Sequence, residues 1–80
     1  GSSLDSAYQA ARARFTEDGA HLRAQLPTQR LNTTHEGVSV RYQPSRKQYQ
    51  IDLSYPGGET RWTLIPSGKQ VKIGIDYYAD

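Results

Sequence analysis

The sequence predicts an α+β domain in which one long N-terminal amphipathic helix packs on one face of a four-stranded antiparallel β-meander. Three observations lead there. From Leu4 to Leu26 the apolar residues Leu4, Tyr8, Ala11, Phe15, Leu22 and Leu26 follow steps of four, three, four, seven and four, which place one stripe along a helix. Past Gly37 the apolar period changes from about 3.6 residues to 2. The alternating stretches are separated by short clusters rich in Pro, Gly and Ser, the composition of hairpin turns.

The predicted helix covers residues 4–26 and would be ~34 Å long. Asp5 or Ser6 can cap its start, and Pro27 stops it. Arg12, Arg14, Glu17, Arg23 and Gln25 leave the opposite side polar, so the helix should lie on a surface rather than be surrounded. Asp18 occupies the one place in the stripe that should be apolar. Gly19 is the weak point, at ~1 kcal/mol relative to Ala inside a helix, but the stripe resumes in phase at Leu22. Residues 27–36 carry Thr, Asn, Gln and His without a period and read as a loop.

Four strands are expected at about 37–43, 48–55, 60–66 and 69–78. Turns at Pro44-Ser45-Arg46-Lys47, Pro56-Gly57-Gly58-Glu59 and Ser67-Gly68 would set Tyr42 opposite Tyr49, Tyr55 opposite Thr60, and Pro66 opposite Lys69. In that register every strand turns its apolar set to the same side, including Val40, Ile51, Leu53, Trp62, Leu64, Val71 and Ile73. The other side holds Ser39, Arg41, Gln43, Gln50, Asp52, Ser54, Arg61, Thr63, Ile65, Gln70 and Lys72 and reads as solvated.

Eighty residues, 35% of them hydrophobic, make one small domain, residues 4–80. Gly1-Ser2-Ser3 reads as the scar of a cleaved expression tag, so a native chain can carry a signal peptide, lipid anchor or membrane helix upstream. The absence of Cys excludes a disulfide framework, a thiolate zinc site and a cysteine nucleophile. No apolar run approaches the roughly 18 residues of a membrane-spanning helix.

The residues that carry chemistry are sparse. A nucleophile needs an adjacent base and an orienting third group. His21 and His35 fall on the polar helix face and in the loop, without the spacing of a metal site. Asp52 and Asp76 are separated by the third strand, and Gly57-Gly58 lacks the following helix that a phosphate cradle needs. A protein that is not an enzyme, with no catalytic, metal or cofactor site, is therefore expected.

A basic set remains, with a net charge of +2. Arg41, Arg61 and Lys72 share the outer sheet face, and Arg46, Lys47 and Lys69 lie in turns at one end. They are the candidate contact residues for nucleic acid or a partner. Sheets that read single strands display aromatic platforms, whereas Tyr78 is the one aromatic expected to point outward here.

The order of elements, with Ala7-Tyr8-Gln9, Ala13-Arg14 and Glu17 in the helix, resembles the soluble domain of type IV pilins and pseudopilins. Tyr49-Gln50-Ile51-Asp52-Leu53 and Trp62-Thr63-Leu64-Ile65-Pro66 are similar to strand signatures of minor pilins. The resemblance implies a non-enzymatic structural subunit of a bacterial cell-envelope filament, in the periplasm or pilus, with other filament subunits or an envelope protein as partners. It implies membrane attachment only through a segment upstream. Many pilins carry a Cys pair that this chain lacks. A PepSY-like periplasmic or secreted interaction module is the alternative, since it also pairs a helix with a Tyr-rich meander and carries turns like Pro66-Ser67-Gly68-Lys69. Weak nucleic-acid binding through the basic sheet face is the second alternative.

Overall fold

The computed structural model describes residues 3–80. The elements are α1 (Ser3–Arg14), α2 (Thr16–Gly19), β1 (Leu31–His35), β2 (Val38–Pro44), β3 (Tyr49–Tyr55), β4 (Gly58–Ser67) and β5 (Gln70–Ala79). All five strands form one antiparallel sheet in the order β1-β2-β3-β4-β5. This corrects the expected fold twice: the helix is short, and the meander has five strands, not four. The first two residues of the proposed tag scar lie outside the described residues; Ser3 opens α1.

The helix stops because the chain turns back on itself. Phe15 leaves the helical region at φ −99°, ψ 78°, and α2 adds a single turn, with Gly19 N–H bonded to Phe15 O and Ala20 N–H to Thr16 O. Gly19 then lies against α1, where a Cβ would stand 2.3 Å from the carbonyl oxygen of Arg12. Only glycine permits that approach. The chain returns alongside α1, which is about 18 Å long, and side chains of α1 satisfy its backbone. Tyr8 donates its hydroxyl to Arg23 O, Gln9 its amide to Ala24 O, and Arg12 its Nε to Leu22 O. Leu22 and Leu26 reach the core from this return segment. Their phase with the helical stripe is a coincidence of spacing.

β1 falls within the expected loop 27–36. It pairs with β2 from Leu31↔Tyr42 to His35↔Val38 through a two-residue turn. Both turn residues, Glu36 (φ 50°) and Gly37 (φ 79°), have the positive φ that a tight hairpin matching strand twist requires. As an edge strand β1 buries no residue fully, so it has little need of apolar alternation.

Each expected hairpin register is displaced by two residues. Tyr42 faces Ile51, Tyr55 faces Gly58, and Pro66 faces Val71. The causes lie in the turns. Ser45 closes the first by bonding Gln48 O through both its N–H and its hydroxyl. The second shrinks to Pro56-Gly57, and the third is Gly68-Lys69 with Gly68 at φ 63°. A slip of two conserves the side-chain period, so each residue keeps its predicted face.

The core is one cluster. Tyr8, Ala11 and Leu22 pack on Val38, Val40, Tyr42, Tyr49, Ile51, Leu53, Trp62 and Leu64. α1 covers β4 and β5, while the return segment is pinned over β2 and β3 by tyrosine hydroxyls. Arg23 N–H donates to Tyr42 Oη, and Tyr49 donates to Pro27 O. Burial pushes the Tyr49 hydroxyl up to about 12, and raises that of Tyr8 further with help from neighbouring Tyr42.

A candidate contact face along the β5 edge

On the outer face the register lines up Asn32, Arg41, Asp52, Arg61 and Asp76 in one row across the five strands. Asp52 is buried and is the hub of this row. Its carboxylate accepts from Arg61 Nε at 2.9 Å, Gln43 Nε2 at 2.7 Å and Gln50 Nε2 at 3.1 Å. The hydrogen bond to Asp52 is the main reason the Arg61 guanidinium holds its proton more tightly than usual. The same guanidinium stacks 5.5 Å from the Tyr78 ring.

The six candidate contact residues divide accordingly. Arg41, Arg61 and Lys72 do share the outer face, but Arg61 is already engaged. Glu59 and Asp76 join Asp52 there, so three bases meet three acids. Arg46 and Lys47 lie in the β2–β3 turn and Lys69 in the β4–β5 turn, all at one end of the sheet. No uniform basic field forms on the outer face.

The structure brings together two residues that the sequence separates. His35, at the end of β1 on the inner face, meets His21 of the return segment with 3.0 Å between their Nδ1 atoms. One of these nitrogens must accept, so at least one ring offers a lone pair. The His21 ring also packs edge-on against Tyr55. Only a visible β1 would have exposed this pair in the sequence. No third metal-ligating group joins them among the described residues.

The inner face is incomplete over β5. The pattern of Val71, Ile73, Ile75 and Tyr77 points to the core, yet Ile73 is 37% exposed and Tyr77 62%. α1 crosses here with Ala10 and Ala11, and the small side chains leave a groove bounded by Arg14, Phe15, Ile73 and Ile75. Phe15 forms its rim. The ring packs edge-on against Trp62 with centroids 6.1 Å apart, stands 5.6 Å from the Arg14 guanidinium, and remains 41% exposed. The alternation of residues 71–77 was legible in the sequence; the shortness of the helix that should have roofed them was not.

β5 is also a long open edge. Its ladder with β4 continues past Ala79, where Asp80 N–H bonds to Gly57 O at 3.3 Å. That bond sets the phase: even-numbered residues of β5 direct their backbone groups toward β4, and odd-numbered ones direct theirs outward. The last three pairs of the β4–β5 hairpin, from Ile65↔Lys72 to Ser67↔Gln70, extend beyond the end of β3 at Tyr49↔Leu64. Ile65 is exposed on this arm.

No family model, curated protein or solved structure matches this chain.

Proposed function

We propose that this chain is a non-enzymatic protein-contact domain, a structural subunit that joins an assembly through the β5 edge and the groove beside it. The observation that carries this reading is the open apolar strip of Phe15, Ile73 and Tyr77, adjoining a ten-residue edge strand whose outer backbone groups pair with no strand among the described residues. Edge strands of this length are ordinarily shortened, bulged or covered unless they pair. Exposed apolar residues clustered at such an edge mark contact sites, whereas scattered ones do not.

Support from the pilin resemblance narrows to its strand motifs, because its topological half required the long helix. Tyr49, Ile51 and Leu53, like Trp62 and Leu64, are the core-facing residues of β3 and β4, so an equivalent pattern suits any strand with one buried face. A cell-envelope assembly remains the setting that this resemblance implies. Nucleic acid is the less favoured partner, since the outer face balances its charges and its one aromatic platform, Tyr78, is taken by Arg61.

The test is photo-crosslinking in the native cell, with a photoreactive residue placed at Ile73 or Tyr77, or at Gln50 on the outer face as a control. A covalent product identified by mass as protein, formed from 73 and 77 and not from 50, is expected. Equal capture at all three positions, or capture of nucleic acid, would overturn the reading.

A further inference from the structure

The residues of β5 narrow the choice of partner at this edge. We propose that the partner is a second copy of this chain, paired β5 to β5′ in antiparallel fashion about a two-fold axis at Gly74. The inference rests on the β5 edge being a contact surface.

The sequence of β5 is self-complementary about that glycine. Reading outward from Gly74, Ile73 mirrors Ile75, Lys72 mirrors Asp76, and Val71 mirrors Tyr77. Antiparallel pairing of two copies therefore sets Ile73 opposite the partner's Ile75 and Val71 opposite the partner's Tyr77 on the inner face. On the outer face it sets Lys72 opposite the partner's Asp76, twice. A slip of two residues in either direction places Lys72 opposite Gly74 or Tyr78 and loses both charge pairs.

The backbone phase agrees. The groups of Val71, Ile73, Ile75 and Tyr77 face outward, and in this register they form hydrogen-bonded pairs with one another, about eight ladder bonds in all. Gly74 then lies in a non-hydrogen-bonded pair, where the strands approach most closely. Among the described residues nothing requires glycine there, since a Cβ would meet no atom within 4 Å.

Electrostatics points the same way. Within one chain Arg61 is committed to Asp52, and neither Lys72 nor Asp76 forms an ion pair among the described residues. The second copy continues the alternating row: Arg41, Asp52, Arg61, Asp76, then the partner's Lys72. Opposite charges directly across an antiparallel pair are favourable and like charges are not. Pairing by a two-fold also closes the assembly, leaving only the short β1 strands as edges.

Sedimentation equilibrium of the wild-type chain and three variants tests this. The wild type should form a reversible dimer. Lys72→Asp or Asp76→Lys alone opposes like charges twice and should weaken it at least about tenfold, while Lys72→Asp/Asp76→Lys restores the pairs and the affinity. Circular dichroism confirms that each variant is folded. A wild type that stays monomeric at the highest attainable concentration, or a dimer indifferent to both reversals, overturns the proposal. A monomeric chain that crosslinks to a different protein through Ile73 defeats the two-fold pairing alone and leaves the contact-domain reading standing.

Discussion

Trp62 donates its indole N–H to one carboxylate oxygen of Asp18 at 2.9 Å, while Tyr55 donates its hydroxyl to the other. Asp18 thus joins the turn after α1 to two strands. In a helical stripe the same residue is a defect that leucine would repair. In this fold Asp18→Leu leaves a buried indole donor without an acceptor, at about 1–3 kcal/mol. Chemical denaturation should show destabilisation; a gain in stability would favour the continuous helix.

Gly19 gives a second reversal of sign. Helix propensity alone predicts that Gly19→Ala gains ~1 kcal/mol. The approach of 2.3 Å to the Arg12 carbonyl predicts a loss, because backbone rather than a flexible side chain must yield. Gly58→Ala should also destabilise, since its Cβ would fall 2.6 Å from both Tyr77 Oη and Tyr78 O. Melting temperatures of the two variants decide both.

Removing a fully buried indole by Trp62→Ala should cost ~3–5 kcal/mol through the cavity it opens. Arg61→Ala, one residue away on the other face, should be far milder but not silent. It removes a charged donor from buried Asp52, which Gln43 and Gln50 continue to hold. Equal losses for the two variants in urea titrations would contradict the assignment of faces.

Alkali should unfold the protein through its tyrosines. Burial, reinforced by the bond to Asp18, raises the Tyr55 hydroxyl, and burial raises Tyr8 and Tyr49. The native state keeps these protons where the unfolded chain, titrating near 10, releases them. Their contribution is complete below pH 10 and declines as pH rises toward the folded values. Tyrosinate absorbance should therefore rise together with loss of circular dichroism, and Tyr55→Phe should reduce the steepness of the transition. A folded spectrum retained while every tyrosine ionises would contradict this.

How far the sequence reveals the fold depends on which signal each element carries. Faces were legible because the strand period is 2, and register errors of two residues leave it intact. The exact turns were not, since Pro56-Gly57-Gly58-Glu59 offers both a two- and a four-residue closure, and composition alone does not choose the Tyr55↔Gly58 closure that forms. The helix end was hidden because Leu22, buried, and Leu26, half-buried against the core, keep the spacing of a helix although they come from an irregular return segment. β1 was hidden because an edge strand needs little apolar content. With β1 and the helix end misplaced, the His21–His35 contact and the open β5 groove could not be seen, although the residues that form them were.

Among the described residues β5 is the last strand of the sheet, open for contact along its outer side, and residue-resolved amide hydrogen exchange in dilute protein reads the two sides of this strand separately. The amides of Lys72, Gly74, Asp76 and Tyr78, bonded to β4, should be protected, while those of Val71, Ile73, Ile75 and Tyr77 exchange as free ones do. Equal protection along the strand in dilute solution, or protection nowhere along it, would rule out an open edge at β5.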